Sequence, residues 1–238
     1  RKKSRVKETL EYFSVTRTAA AIERCDIAIL VIDAETGIVE QDKKIADLIT
    51  RNHRACIVVI NKWDLTTEAV KEARKEEIEH RRRKDRHRDD REKRLTTLGE
   101  FGHWVQEQLF FLDYAPVIFT SATENFQLDR LLEAIRYVDD QWHQKIPTPL
   151  LNRTLRDIID QRQPPNKTGK QFKLYYAVQV EGSPPAFTLF VNAPHVCSEQ
   201  YELYLSRQIR RAFGFEGCPI RLFVKERPKS IEPVRRNS

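Results

Sequence analysis

Three short apolar runs, each stopping at a polar cluster, constrain this chain most. Ile27-Ala28-Ile29-Leu30-Val31-Ile32 stops at Asp33, Cys56-Ile57-Val58-Val59-Ile60 at Asn61-Lys62-Trp63-Asp64, and Val117-Ile118-Phe119-Thr120 at Ser121-Ala122. Unbroken apolar runs of this length, rich in β-branched residues, predict strands buried on both faces. Between and around them the spacing is helical. Val6, Leu10 and Phe13 share a face that runs on to about Cys25. Thr36-Gly37 makes a turn, and residues 40–53 align Ile45, Leu48 and Ile49 behind a Glu40-Gln41-Asp42 start that suits a helix dipole. Residues 96–112 form a helix rich in Phe and Leu with Trp104, and Leu128, Leu131, Leu132, Ile135 and Val138 form a last stripe. Strands alternating with helices predict an α/β domain with a parallel, doubly wound sheet. Such sheets bind ligands beyond the carboxyl ends of their strands, where Asn61-Lys62-Trp63-Asp64 and Ser121-Ala122 both fall.

A second unit follows. The two prolines of Ile146-Pro147-Thr148-Pro149 mark a boundary, and Thr148 with Pro149 can cap a helix carrying Leu151, Leu155, Ile158 and Ile159. Gln163-Pro164-Pro165-Asn166 ends it. Leu174–Val180 and Phe187–Val191 alternate as strands, with Glu181-Gly182-Ser183-Pro184-Pro185 as the hairpin loop between them. Ser198 caps a helix through Tyr201, Leu205, Ile209 and Phe213, stopped by Gly214. A strand over Ile220–Val224 leads into a basic tail from Lys225. The order α-β-β-α-β predicts a small α+β domain with helices on one face of one sheet. The expected organisation is residues 1–146, 147–227 and a tail 228–238, with a charged insertion at 66–95.

The net charge of +7 and pI near 9.2 favour a polyanionic partner, nucleic acid above all. The insertion EHRRRKDRHRDDREKR cannot bury a face. It reads first as a solvated helix laced with ion pairs or a disordered loop, and alternatively as an RNA-contacting arm. Cys25, Cys56, Cys197 and Cys218 show no C-x-x-C spacing; the first two read as small core residues, and a reducing, cytoplasmic setting is the simplest. No apolar run approaches the roughly 18 residues needed to cross a bilayer. The six histidines show no ligand spacing, so no metal is assigned to these residues. The chain has no Met and opens on Arg1-Lys2-Lys3, which reads as an excised region.

Asn61-Lys62-Trp63-Asp64 has a specific chemical use. Guanine presents N1–H and an amino group side by side, and one carboxylate, Asp64, accepts both; adenine lacks that edge. Asn61 can contact the imidazole side of the base and tie neighbouring loops together. The Lys62 stem can lie along the base plane with its ammonium in water. The base carbonyl then needs a donor, which the backbone N–H at the small Ala122 supplies, next to Ser121. The plain alternative is a strand-to-helix turn with solvated polar residues. Asp33, in Asp33-Ala34-Glu35-Thr36-Gly37, reads as a strand-end turn rather than a metal ligand.

The segments RKKSRVKE, AILVIDAETGIVEQDKKIA, VVINKWDL and FLDYAPVIFTSA resemble the second GTPase domain of the bacterial Der (EngA) tandem GTPases, and LLNRTLRDII, KLYYAVQV, PPAFTLFVN and RQIRRAFGFEGCPIRLFV resemble the KH-like domain that follows it. The resemblance covers nearly the whole chain outside the insertion and tail. It implies a truncated P-loop-type GTPase domain followed by a KH-like domain, acting with GTP and GDP in assembly of the large ribosomal subunit. It places Asn61, Lys62, Asp64, Ser121 and Ala122 around the base, leaves Thr123 peripheral and has Trp63 pack. It makes Arg1, Lys2, Lys3, Ser4 and Arg5 the switch II segment. No G-x-x-x-x-G-K-[ST] and no D-x-x-G occur in these residues, so catalytic residues and Mg²⁺ ligands are expected outside this chain, which alone should not hydrolyse GTP. The partners it implies are large-subunit rRNA and an upstream G domain of the same polypeptide.

A KH domain clamps nucleic-acid backbone with a G-x-x-G loop between two helices. Gly214-Phe215-Glu216-Gly217 has that spelling but lies between a helix and the last strand, and Glu216 would repel phosphate; it reads as a helix stop and turn. The same absence disfavours an Era-like GTPase. Arg207, Arg210, Arg211, Arg221, Lys225 and Arg227, with Lys229, Arg235 and Arg236 beyond, are the candidate RNA contacts. Tyr175, Tyr176, Tyr201 and Tyr204 read as core and rim packing rather than base-stacking platforms. The rival reading is a standalone RNA- or ribosome-binding module with a non-catalytic G-domain remnant.

Overall fold

The computed structural model describes residues 16–66, 97–165 and 171–227. The readings of Val6, Leu10 and Phe13, of Arg1–Arg5 as switch II, of the insertion beyond Thr66, of Asn166, and of Lys229, Arg235 and Arg236 lie outside them. Two compact units emerge, residues 1–141 with 216–219, and residues 142–215 with 220–238. The division falls within the last turn of a helix, ahead of the Pro147 and Pro149 pair.

In the first unit, strands β1 (Ile27–Asp33), β2 (Ala55–Asn61) and β3 (Val117–Phe119) form a parallel sheet in the order β1-β2-β3. Helices α1 (residues 16–24), α2 (Glu40–Arg51), α3 (Thr97–Gln108) and α4 (Leu128–His143) alternate with them. The start of α2 is set as its acidic sequence predicts: the Asp42 carboxylate accepts the Val39 N–H at 3.0 Å. Central β2 is buried on both faces, no residue from Ala55 to Ile60 being more than 2% exposed. Each such Ile or Val contributes about 1.5–3 kcal/mol by leaving water.

Edge strand β1 departs from expectation. Ala28, Leu30 and Ile32 are buried, but Ile29 is 42% and Val31 57% exposed, so only one face is covered. An apolar run reports what a strand can bury, not whether a neighbour is present to bury it. The apolar segment at 96–112 is not one helix: it stops at Gln108 and resumes as a 3₁₀ turn, Phe110–Leu112. The stripe on α4 does not include Leu132, which is 56% exposed. The third strand stops at Phe119, short of Thr120.

At its start, β2 reaches past β3, whose first partner is Val58. The Cys56 N–H would be left unpaired there and instead donates to the Gly217 carbonyl at 2.8 Å, while the Gly217 N–H donates to the Tyr114 carbonyl at 2.7 Å. A Cβ on Gly217 would stand 2.4 Å from Val138 Cγ2, and its φ is +78°.

In the second unit, α5 (Thr148–Gln161), β4 (Leu174–Val180), β5 (Ala186–Val191), α6 (Glu199–Phe213) and β6 (Arg221–Glu226) follow the α-β-β-α-β order. The sheet order is β4-β5-β6, with β4 antiparallel and β6 parallel to β5. Leu151, Leu155, Ile158 and Ile159 of α5, and Tyr201, Leu205 and Ile209 of α6, are buried together with alternate strand residues Ala177, Phe187, Leu189 and Val191. Thr148 is the first helical residue, not a cap; Pro147 precedes it and no side chain caps the turn. Ser198 does cap α6, accepting the Tyr201 N–H at 3.3 Å. The last strand runs through Lys225 and Glu226, so Lys225 belongs to the sheet rather than to a tail. Asn152 seals the outer edge of β4, bonding both the N–H and the carbonyl of Ala177 at 2.8 Å.

Candidate functional site

Parallel register sets the site. Asp33 pairs with Asn61 across β1 and β2, and Phe119 with Ile60 across β2 and β3, so all three strands release their polar residues at one end of the sheet. Two backbone bonds continue the alignment: Thr120 N–H to the Ile60 carbonyl (2.8 Å) and Trp63 N–H to the Thr120 carbonyl (3.0 Å).

Asn61 joins the loops, as expected of it. Its Oδ1 accepts the Thr120 hydroxyl at 3.1 Å and the Ala122 N–H at 3.3 Å. Because Ala122 can only donate, Oδ1 faces it and the Nδ2 amide is left to donate elsewhere. The expected use of the Ala122 N–H therefore changes, since in this structure it bonds Asn61. The outward donor beside it is Asn61 Nδ2, which has no partner among the described residues.

Lys62 has φ +62°, a left-handed conformation that is rare for a residue with a side chain and costs on the order of 1–2 kcal/mol. It turns the chain directly into the Trp63–Leu65 3₁₀ turn that presents Asp64. Its ammonium is not simply in water: Nζ lies 2.7 Å from Asp33 Oδ2, with the Lys62 side chain 51% exposed. The other Asp33 oxygen accepts the Glu35 N–H at 2.9 Å, and the Gly37 N–H donates to the Asp33 carbonyl at 2.9 Å. The strand-end turn is thus as read, with a second role added. The bond from Lys62, and then the Glu35 N–H, hold the Asp33 carboxyl below its ordinary value, and Asp33 in turn raises Lys62.

Asp64 is exposed, and its Oδ2 accepts the Thr123 hydroxyl at 3.5 Å, the outer limit of a hydrogen bond. Thr123 is therefore not peripheral: its hydroxyl also meets Ser121 Oγ at 3.0 Å, and Ser121 Oγ accepts the Glu124 N–H at 3.2 Å. Ser121 is buried and shapes the loop, while Ala122 stays exposed. Trp63 packs edge-on against Phe119, ring centroids 4.7 Å apart, as expected of the free position in the motif. The site therefore offers a two-oxygen acceptor, an amide donor and an aliphatic stem, all on strand ends. Sequence reading missed Thr120 and the second role of Asp33; the available signal was that adjacent parallel strands end on polar residues at one level. Among the described residues, no three or more His, Cys, Asp or Glu are placed to hold a metal.

The basic candidates divide. Arg210 donates to the Phe215 carbonyl and closes the end of α6. Arg207 and Arg211 are exposed on α6, Arg221 lies over the Phe223 ring, and Lys225 and Arg227 are exposed. Gly214-Phe215-Glu216-Gly217 is a helix stop and turn: the Gly214 N–H donates to the Arg210 carbonyl at 2.8 Å and the Gly217 N–H to Tyr114, so neither is open to a phosphate. Tyr201 is core, its hydroxyl bonded to the Arg162 carbonyl at 2.6 Å, and Tyr204 lies under the Arg162 guanidinium.

A parallel sheet whose polar loops gather at its strand ends has the frame of a nucleotide-binding domain of the GTPase class. The family described as the elongation factor Tu GTP binding domain matches residues 11–139, and the one described as the KH-domain-like C-terminal part of EngA bacterial GTPase enzymes matches residues 145–225. GTPase Der of Sulfurihydrogenibium sp. (strain YO3AOP1) is 42% identical over 225 residues, 94% of this chain and 44% of that protein. GTPase Der of Halothermothrix orenii is 40% identical over 227 residues, 95% of this chain and 46% of that protein. The chain belongs to the Der (EngA) GTPase family, and it spans about half the length of these curated relatives. No helix among the described residues is long and apolar enough to cross a membrane.

Proposed function

We propose that this chain is the guanine-reading and RNA-facing half of a cytoplasmic GTPase that acts in assembly of the large ribosomal subunit. The observation that carries the reading is the Asn61 amide, which bonds the second loop through Oδ1 and leaves Nδ2 and the Asp64 carboxylate as donor and acceptor beside it. Asp64 accepts the two adjacent donors of guanine, Asn61 Nδ2 serves the carbonyl and imidazole side, and the Lys62 stem, steadied by Asp33, covers the ring. Adenine opposite Asp64 would leave a carboxylate without donors, so selection rests on an unmade pair as much as on a made one. Phosphate and Mg²⁺ chemistry falls to the upstream motifs of the parent polypeptide, together with its other G domain. The net charge of +7 supports an rRNA partner.

Calorimetry with GDP and ADP on a polypeptide extended to include the phosphate loop tests the base site. Asp64→Ala should weaken GDP by about a hundredfold or more, the loss of two charge-assisted bonds of roughly 1.5–3 kcal/mol each, and leave ADP unchanged. An equal loss for both nucleotides would place Asp64 outside base reading. The chain alone should show no GTP turnover; measurable turnover would overturn that part of the proposal.

A further inference from the structure

The sheet of the second unit has one face paired with α5 and α6, and the other face is built differently. Where β4 meets β5 the register shifts between Leu174 and Tyr176, so Tyr175 is an extra residue. Such a bulge re-aims side chains. Leu174 is buried at 7% exposure, whereas Tyr175 and Tyr176 are both part-exposed. Tyr176 stacks on its cross-strand partner Phe190, centroids 4.4 Å apart and planes 21° apart. Lys225 pairs with Phe190 on the far side. The next row is Val178, Thr188 and Phe223, and the one after is Val180, Ala186 and Arg221; Thr188 and Ala186 on the central strand are themselves buried, so the accessible part is the Tyr176, Phe190, Phe223 and flanking cation side chains. The Arg221 guanidinium lies 5.1 Å from the Phe223 ring centre. Tyr175 sits between Lys173 at 5.8 Å and Arg227 at 5.4 Å.

The rings and cations therefore alternate across one surface. Four cations, Lys173, Arg221, Lys225 and Arg227, accompany Tyr175, Tyr176, Phe190 and Phe223, and the three rows contain no carboxylate. Glu226 pairs with buried Val191 and belongs to the helix side, and Glu181 follows β4 in the hairpin loop. We propose that this second sheet face, opposite the one that packs on α5 and α6, is a stacking platform for single-stranded RNA, with Tyr176, Phe190 and Phe223 as its rings. The proposal rests on the RNA-facing reading above and assigns it to the sheet face rather than to the arginines of α6 or the glycine turn. Aromatic faces accept any unpaired base, and flanking cations follow the phosphates. A duplex hides its base faces and has no use for the rings. An uncharged protein surface would leave four cations facing no counter-charge. Because Tyr176 and Phe190 already hold each other, neither has to be ordered when a base arrives.

Fluorescence anisotropy of a labelled 12-nucleotide oligouridine, at several KCl concentrations, tests this on the whole chain. Tyr176→Leu with Phe223→Leu should weaken binding by about tenfold or more and leave the salt slope unchanged. Arg221→Gln with Lys225→Gln should flatten the slope by about one to two. Arg207→Gln with Arg211→Gln, on α6, should change little. Wild-type affinity in the aromatic variant, or equal affinity for a hairpin duplex, would overturn the platform. Loss confined to the α6 variant would overturn the platform and leave the RNA-facing reading standing. No binding to any RNA would sink both. Should the aromatic variant melt early, 4-thiouridine cross-linking to the unaltered chain decides: adducts at residues 173–176, 190 or 221–227 support the platform, and adducts only elsewhere, or none, as when a protein partner covers the face, overturn it.

Discussion

Among the described residues the two sheets have three strands each, and they present chemistry in opposite ways. Central β2 of the parallel sheet is covered on both faces, so none of its side chains from Ala55 to Ile60 is open to solvent, and the accessible polar groups lie in the loops after the strands. The second sheet is covered by helices on one side, and on the other Tyr176 and Val178 of β4, Phe190 of β5, and Arg221, Phe223 and Lys225 of β6 stay at least part-exposed, while Ala186 and Thr188 of the central strand are buried. Full burial gives firmly set strand ends with their polar groups gathered at one level. Half burial gives a broad surface suited to an extended partner.

The largest expected effect sharpens that contrast directly. Ile57→Ala, at a fully buried position of β2, should cost about 4 kcal/mol in urea unfolding, whereas Val178→Ala on the open face of β4 should cost about 1 kcal/mol or less. Equal costs would mean that the second face is core after all. The glycines make the next comparison. Gly217→Ala drives a Cβ to 2.4 Å from Val138 at φ +78°, and should cost about 3 kcal/mol. Gly182→Ala, at φ +106° with nothing within 4 Å, should cost only the backbone strain, about 1 kcal/mol.

Cysteine chemistry gives a smaller, pH-dependent effect. Burial pushes the Cys56 thiol up to about 12, from 9.0. The unfolded chain therefore releases this proton first, so the thiol's contribution is complete below pH 9 and is lost as pH rises toward 12. Alkaline unfolding followed by circular dichroism should be shallower for Cys56→Ala, and a thiol reagent at pH 8 should leave Cys56 unmodified in the folded protein. The smallest effect is at Asp33. Its lowered carboxyl keeps the link to Lys62 above pH 3.8 and loses it as pH falls through the depressed value; the raised Lys62 holds its side below pH 10.5 and loses it above. Asp33→Asn should speed hydrogen exchange at the Glu35 amide without a measurable change in melting temperature, because the pair is exposed.

How far the sequence could be read follows from which forces are local. The parallel sheet of β1, β2 and β3 was legible, though not its strand order, because continuous apolar runs separated by helical stripes read as buried parallel strands. The bare face of β1 was not: Ile29 and Val31 are apolar whether or not a neighbour covers them. The ends of α6 were legible in Ser198 and Gly214, which act on their own backbone. The start of α5 was misread because Thr148 takes a helical position rather than capping. Asp64 and Asn61 stood out by residue type. The Asp33 to Lys62 pair depended on strand register, and the doubled aromatic at Tyr175 and Tyr176 depended on a bulge, neither of which a single segment records.

The Asn61 amide holds two loops together that lie some sixty residues apart in the chain, at 3.1 Å to Thr120 and 3.3 Å to Ala122. The two loops are thus held by a clasp and by the sheet beneath it. Doubling a flexible connection adds only about 0.6 kcal/mol of closure entropy. Lineages could therefore lengthen or shorten the polypeptide between β2 and α3 while keeping the same clasp. An engineer could place a reporter or affinity handle there for the same reason.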